Sequence, residues 1–196
     1  MAITNGYAAL AEIKARLDIL DTDDDSVLEA IVEAASRQID GWCSRTFYAA
    51  TATRYFTPES IDLLILPDDL MSVTTLKTDE DGDRTYETTW ATTDYDLEPA
   101  NAATYTHIYT APDGRYGFPT HRRAVEIAGS WGYASTAPDA INEACLLLSA
   151  RLWKRKDAPF GIAGSSDAGQ LQTLPGMDPD VKQLIQPYRK FALLGV

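Results

Sequence analysis

The sequence predicts an α+β protein, a small helical bundle into which an antiparallel β region is inserted. Apolar residues recur every three or four positions near both ends of the chain, whereas residues 47–133 alternate with period two. Fourteen of the nineteen aromatic residues lie between residues 42 and 133, as expected for strands that pack through large rings. The middle of the chain is therefore expected to form a sheet or a small barrel.

Two helices are predicted at the N terminus. The first covers residues 8–17 and is followed by an acidic turn over residues 21–25. Ser26 and Glu29 then have the spacing of a capping box, so the second helix is expected to run from Ser26 to about residue 43. Its predicted apolar face consists of Leu28, Ile31, Ala35, Ile39 and Trp42.

Six strands are predicted between the helices. They cover residues 54–57, 61–66, 72–78, 84–90, 105–111 and 124–131. Residues 79–83 read Asp-Glu-Asp-Gly-Asp, and Gly82 supplies the positive φ that a tight hairpin turn requires. The strands on either side of this turn are therefore expected to pair.

The C-terminal part of the chain is predicted to hold a helix, a loop and a short tail. Pro138 precedes a helix over residues 139–156, which buries Ile141, Cys145, Leu148 and Leu152. Cations crowd its last turn, where they stabilise the helix dipole or contact a partner. A flexible Gly/Ser-rich loop, residues 157–177, leads to a short helix that starts at Asp178 and cannot continue through Pro187. The predicted organisation is one domain over residues 1–156, then the loop, then a docking tail over residues 178–196.

Composition narrows the function classes. The chain has 196 residues, enough for one domain with a true core, and a net charge of −12 that disfavours binding to nucleic-acid backbones. No apolar run could cross a membrane, and no signal sequence is visible, so the protein is expected to stay where it is made. Cys43 and Cys145 are expected to be buried free thiols; nothing in their spacing supports a disulfide.

A search for catalytic or metal-binding motifs favours a protein that is not an enzyme. His107 and His121 have no zinc spacing, and neither a nucleophile elbow nor a phosphate-binding glycine loop is present. His107 is expected at a surface or a sheet edge. The acidic turn fails the EF-hand pattern, because Ser26 stands where glycine belongs and Val32 where glutamate belongs. We expect no cofactor and no structural metal.

Taken in order, nine stretches of the sequence resemble the head–tail connector (adaptor) family of long-tailed double-stranded-DNA bacteriophages. They are residues 7–17 (YAALAEIKARL), 34–47 (AASRQIDGWCSRTF), 53–56 (TRYF), 64–67 (LILP), 71–74 (MSVT), 94–99 (DYDLEP), 125–134 (VEIAGSWGYA), 150–155 (ARLWKR) and 187–189 (PYR). The resemblance spans nearly the whole chain. Each stretch alone reflects packing or turn chemistry, and their shared order carries the resemblance.

The resemblance implies a structural subunit of a ring, of twelve copies, beneath the portal protein at the capsid vertex. Such a ring extends the DNA channel, lets double-stranded DNA pass without specific binding, and receives a downstream stopper or tail-completion protein. It also implies a virion protein that is made in the host bacterial cytoplasm, and C-terminal segments that engage the portal. A closed ring requires contacts between two different faces of each copy.

The sequence offers two sets of candidate functional residues. The first would bind the portal or a neighbouring subunit: Arg151, Arg155, Pro187, Tyr188, Arg189, Lys190, Phe191, Leu193 and Leu194. The second would line the channel or its rim: Asp21, Asp23, Asp24, Asp25, Asp79, Asp81 and Asp83. The competing interpretations are a tail that packs on its own domain and acidic turns that are merely solvated.

Two other functions stay open at this level. Within a virion, the chain could be a stopper or tail-terminator subunit. A carbohydrate-binding module is the alternative from another class, because aromatic rings on a β surface stack on sugars. Its candidate platform is Trp90, Tyr95, Tyr105, Tyr109 and Trp131.

Overall fold

The structure is a computed structural model that describes residues 3–113, 115–155 and 177–190. It confirms the α+β class, with four α-helices and a six-stranded antiparallel sheet among these residues. The chain divides into two compact units, a helical unit (residues 1–44 and 137–196) and a β unit (residues 45–136). In the described part of the chain, no helix combines the length and the apolar character needed to span a membrane.

Among its described residues, the helical unit contains four α-helices and one turn of 3-10 helix. They are α1 (Leu10–Leu17), α2 (Asp25–Cys43), α3 (Asp139–Arg155), α4 (Pro179–Ile185) and the 3-10 turn Gln186–Tyr188. The Glu12 carboxylate accepts a hydrogen bond from Ala9 N and closes the start of α1. At the other end Asp18 takes a left-handed conformation, with φ of 56°, which ends the helix.

The predicted capping box of α2 is wrong. The helix starts at Asp25, and the carbonyl of Asp24 accepts from the backbone N–H groups of Val27 and Leu28. Ser26 therefore lies inside the first turn, where it cannot cap. The acidic turn supplies the helix start itself, because carboxylates beside the positive end of a helix dipole stabilise it.

The core of the helical unit lies where α2 packs against α3. The fully buried apolar residues are Leu28, Val32, Ala35, Ile39 and Cys43 on α2 and Ile141, Ala144 and Cys145 on α3. The predicted face of α2 is thus rotated slightly, since Ile31 and Trp42 are only half-buried. Both cysteines are free and buried, which confirms that expectation.

The β unit is one sheet with strand order β1-β6-β2-β5-β4, and β3 pairs with β2. The strands are β1 (Ala50–Phe56), β2 (Leu63–Thr78), β3 (Thr88–Trp90), β4 (Tyr95–Glu98), β5 (Tyr105–Thr110) and β6 (Val125–Trp131). Strands β1 and β4 therefore form its two edges.

Three strand predictions need correction. Residues 63–66 and 72–78 belong to a single strand, β2, which pairs with β5 near its start and with β6 in its second half. The register shifts once within the pairing with β5 and twice within the pairing with β6. Of residues 84–90 only the last three are strand, because the acidic turn is longer than a tight hairpin. Strand β4 was not predicted, since four alternating residues give too short a signal.

Close backbone packing holds the sheet together. A Cβ atom on Gly129 would lie 2.3 Å from the carbonyl oxygen of Ser72, so only glycine lets β6 approach β2 this closely. Gly132 has φ of 133°, and its N–H donates to Asp69 O at 2.8 Å. Beneath the sheet lies one apolar cluster, whose largest members are Trp131, Phe118, Trp90, Phe56 and Tyr95.

Candidate assembly surfaces

The C-terminal surface comprises Arg151, Arg155 and residues 187–190, and it is built on helix α4. Asp178 caps this helix by accepting from Asp180 N at 2.9 Å, and Pro179 occupies the first helical position, as the sequence predicted. Arg151 Nη1 lies 3.8 Å from Asp178 Oδ2, so a cation of α3 is paired with the cap of α4.

Residues 178–190 pack on their own chain. Val181 and Ile185 are fully buried in the helical unit. Lys190 N donates to Cys43 O at 2.8 Å, and Arg189 Nε donates to Trp42 O at 3.2 Å. Arg189 thus lies at the C-terminal end of α2, where the helix dipole favours a cation. Of the two interpretations left open by the sequence, self-packing holds for this part of the tail.

The C-terminal surface still presents charge to solvent. Arg155, Pro187 and Arg189 are exposed, while Arg151, Tyr188 and Lys190 are half-buried. The remaining candidates, Phe191, Leu193 and Leu194, lie outside the described residues, as does almost all of the predicted loop over residues 157–177. The structure thus offers a basic rim for a partner, while its role in portal binding stays a prediction.

The acidic turn before α2 is partly neutralised by a single lysine. Lys14 Nζ lies 2.5 Å from Asp25 Oδ1 and also donates to the carbonyl of Asp21. Asp21 Oδ1 accepts from Asp23 N at 3.3 Å, so the turn also bonds to itself. Leu20, immediately before the turn, is 96% exposed. Exposed carboxylates beside a bare leucine fit a surface that faces solvent or another protein.

The second acidic turn is built around a buried carboxylate. Gly82 has φ of 85°, as predicted, and Asp79 accepts hydrogen bonds from Gly82 N at 2.7 Å and Arg84 N at 3.0 Å. Burial raises the pKa of Asp79, but these two N–H donors, with His121, outweigh it and hold that pKa below 3.8. Asp79 is therefore a structural residue, whereas the other two aspartates of this turn, Asp81 and Asp83, are exposed.

Four carboxylates of this turn come close together. Oxygen atoms of Asp79, Asp81, Asp83 and Glu87 lie within 4.8 Å of one another, a grouping that the sequence analysis did not single out. Both oxygens of Asp79 already accept backbone hydrogen bonds. The arrangement is accounted for by the turn itself, since Asp81 and Asp83 also accept from backbone N–H groups two residues on.

The aromatic platform for a sugar is largely absent. Trp90, Tyr95 and Trp131 are 4%, 7% and 1% exposed and belong to the core of the β unit. The Trp90 ring stacks on Phe118, with centroids 4.7 Å apart. These rings cannot stack on a carbohydrate, because the protein already covers them.

A groove at the β4 edge of the sheet escaped the sequence analysis. Its volume is about 400 Å³, and its lining residues are Asp96, Glu98, Pro99, His107 and Tyr109. The prediction of His107 at a surface or sheet edge is consistent with this position, since its strand β5 adjoins the edge strand β4. The signal in the sequence that could have revealed this groove is the alternation of Tyr95, Asp96, Leu97 and Glu98, which is typical of a short strand.

Comparisons with known proteins bear on the family and on the fold of this chain. The model of the phage gp6-like head–tail connector protein family matches residues 7–72. A chain in the neck of an empty gene transfer agent (GTA) particle, computed with C6 symmetry, is 20% identical with a TM-score of 0.66. Chains from the native GTA neck, computed with C12 symmetry, and from the native GTA virion are 21% and 22% identical, with TM-scores of 0.64 and 0.66.

Each of these three alignments covers 100% of this chain and 96% of the other chain. A comparison with curated proteins gave no match. The fold is therefore shared over the full length, while sequence similarity to the connector family is concentrated in α1, α2 and the first strands. The resemblance to head–tail connectors is confirmed: the chain matches the gp6-like family over residues 7–72 and has the fold of GTA neck chains throughout.

Proposed function

We propose that this protein is a structural head–tail connector, an adaptor subunit that assembles as a ring under the portal, extends the DNA channel and joins capsid to tail. The observation that carries the proposal is the match of the connector family model to residues 7–72 of a chain that has the full-length fold of neck chains. The stretches that carried the resemblance in the sequence also extend beyond the matched segment, to residues 187–189.

The ring is proposed to contain twelve copies, which the C12 symmetry of the similar neck structure supports. Its partners are the portal protein on one side and a stopper or tail-completion protein on the other. The exposed cations of the C-terminal surface, Arg155 and Arg189, are the described residues best placed for a charged partner. The mature location is the head–tail interface of the virion, after synthesis in the host bacterial cytoplasm.

The proposed role is mechanical and needs no bond-making chemistry. A ring acts by placing identical surfaces around a hole, and its channel must let DNA pass without holding it. The net charge of −12 suits this task, because a negative wall repels the phosphate backbone. Asp21, Asp23, Asp24, Asp25, Asp81 and Asp83 are proposed to contribute to the channel or its rim.

The experiment that tests the proposal removes the protein from assembling particles. We expect capsids that carry portal but no tails, visible by negative-stain electron microscopy, and restoration of tails when the protein is supplied. Localisation of a tagged copy should place it next to the portal. Normal tails and full infectivity without the protein would refute the proposal, and a tag at the far end of the neck or tail would indicate a stopper or terminator.

A further inference from the structure

The β unit carries an arginine edge, defined here as Tyr55, Arg84, Tyr86, Arg122 and Arg123. It lies at the C-terminal end of the edge strand β1, where Arg123 N donates to Oγ1 of Thr57, the residue after the strand, at 3.0 Å. The Arg123 guanidinium lies 5.0 Å from the centroid of the Tyr55 ring, and the Tyr55 and Tyr86 rings are 5.5 Å apart. Cations and tyrosines in contact are typical of the cores of protein interfaces.

Hydrogen bonds to backbone carbonyls hold the arginine edge in place, and Arg122 and Arg123 remain exposed to solvent. Arg84 Nη1 donates to Arg122 O at 2.8 Å, and Tyr86 Oη donates to Arg123 O at 2.9 Å. The side chains of Arg122 and Arg123 are exposed, and Tyr55 is 43% exposed. Because Asp81 and Asp83 adjoin Arg84 on its turn, Arg122 and Arg123 carry the positive character. The carboxylate opposite Tyr55 belongs to Glu126, which lies 3.8 Å from Lys77 Nζ.

The acidic groove at the β4 edge has the complementary chemistry. Asp96 and Glu98 supply two carboxylates, and the lining residues include no lysine or arginine. His107 and Tyr109 line the groove beside them, with ring centroids 6.5 Å apart. Tyr109 is 37% exposed. The groove thus offers negative charge and aromatic surface, the counterpart of an arginine-tyrosine edge.

Sheet topology keeps these two surfaces apart within one copy. Strands β1 and β4 are at opposite edges of the order β1-β6-β2-β5-β4, four strand spacings or about 19 Å apart. One copy cannot fill its own groove with its own arginine edge. Two unlike, complementary faces at opposite edges are what a head-to-tail contact requires, and such contacts close into rings.

We infer that neighbouring copies of this chain dock through these surfaces, the arginine edge of one copy against the acidic groove of the next. The inference rests on the proposed function, since it supplies a contact between subunits of the ring. Arg122 and Arg123 approach Asp96 and Glu98, while Tyr55 packs toward Tyr109. Opposite charges make the contact head-to-tail, because pairing two arginine edges or two acidic grooves would juxtapose like charges.

Two charge-reversal variants test the docking. The first is Arg122→Glu with Arg123→Glu, and the second is Asp96→Lys with Glu98→Lys. Each alone juxtaposes like charges, so incorporation into the neck of purified particles, counted by quantitative mass spectrometry, should fall at least about tenfold. Circular dichroism and thermal melts check that each variant is folded.

Co-expression of the two charge-reversal variants is the decisive experiment. When the two variants are co-expressed, an alternating arrangement pairs the glutamate edge with the lysine groove and the native edge with the native groove. Incorporation should therefore recover in any ring with an even number of copies, and a chain with all four reversals should also recover. The control Glu59→Lys with Asp113→Lys makes the same charge change as the second variant, at exposed residues that do not line the groove, and it should incorporate like the wild type.

The outcomes separate this inference from the proposed function. If each variant incorporates like the wild type, or if folded variants fail to recover in the mixture, the docking inference is wrong while the connector function stands. If the wild-type protein itself is absent from the necks of particles, the proposed function fails.

Discussion

The helical unit and the β unit are built differently along the chain. The β unit is one continuous segment, residues 45–136, whose core and sheet are complete within that segment. The helical unit joins residues 1–44 to residues 137–196, and its core depends on contacts such as Ser36 Oγ to Cys145 Sγ at 3.4 Å across 109 positions. The β unit is thus an insertion between α2 and α3, and the two units should respond separately to mutation.

Each unit also leaves some apolar side chains uncovered. The helical unit packs residues 178–190 on its own core, where Val181 and Ile185 are buried, but Leu20 and Val27 stay exposed. The β unit exposes the rings of Tyr55 on β1 and Tyr109 on β5, together with the side chains of Ile61 and Ile65. Both units therefore keep apolar side chains exposed to solvent, and they differ in how their cores are assembled along the chain. Mutations in each unit test whether the two cores are independent.

The largest effect is expected from Gly132→Ala in the β unit. A Cβ atom there would lie 2.0 Å from Tyr48 O, and the φ of 133° is strained for any other residue. The free energy of unfolding of the β unit should fall by roughly 3 kcal/mol or more. Hydrogen-exchange mass spectrometry measures each unit separately, and the helical unit should change little.

Gly41→Ala is the matched control for this prediction. Gly41 lies in α2, and a Cβ atom there meets nothing within 4 Å. Because alanine favours helix, this variant should stabilise the helical unit by about 0.5–1 kcal/mol. Equal stability of the two alanine variants would contradict the packing described for β6 and its following turn.

Ile185→Ala should weaken the helical unit. Ile185 is fully buried on α4, so its truncation should cost about 2–4 kcal/mol, whereas Lys182→Ala on the exposed face should cost less than about 0.5 kcal/mol. Native-state labelling of Cys43 and Cys145 should accelerate in the first variant only, since both thiols are buried in this unit.

The burial of α4 also changes the expected effect of truncating the chain. The sequence predicts that removal of residues 178–196 leaves a folded core. Because Val181 and Ile185 are buried, the structure predicts that this deletion destabilises the helical unit while the β unit persists. A truncated protein with unchanged thiol protection would show that α4 is dispensable to the core.

Asp79 makes the stability of the β unit depend on pH in the acid range. Its pKa is lowered in the folded protein, so its contribution to stability is present above pH 3.8 and is lost as the pH falls through the lower, folded pKa. Asp79→Asn should flatten this part of the stability–pH curve, and exposed Asp81→Asn should preserve it. If the wild type and Asp79→Asn lose stability in parallel below pH 3.8, then Asp79 is not the cause of this dependence on pH.

The smallest expected signal is duplex DNA binding. With a net charge of −12, the wild-type protein should show no measurable binding at physiological ionic strength by fluorescence anisotropy. Arg122→Glu with Arg123→Glu should not change this result. Tight binding that weakens with salt would argue against a channel wall that DNA passes freely.

Much of the fold was predictable because its signals are local. The helical spacing of Leu28, Ala35 and Ile39 and the alternation within residues 124–131 report buried faces directly. The positive φ of Gly82 follows from the Asp-Gly turn. The sequence did not predict strand β4 or the continuity of β2, because a four-residue alternation and a register shift have no local signature.

The candidate functional residues likewise divide into those that the sequence identified and those that it did not. Sequence identified the C-terminal cations and the acidic turns, since charge and turn residues can be read without coordinates. It did not identify the acidic groove, whose Asp96 and Tyr109 meet only through the pairing of β4 with β5. Nor could it distinguish Asp79, which is buried, from Asp81, which is exposed.

By itself the sequence determined the α+β class, the placement of a β region between helical ends, the acidic character and the resemblance to connector proteins, because periodicity, composition and motif order belong to the chain. Only the tertiary structure decided that α4 packs on its own unit, that Trp90, Tyr95 and Trp131 are core, and that Asp96 and Glu98 line a groove at the β4 edge. Those facts depend on which distant residues meet, and burial and pairing across the sheet arise only when the chain has folded.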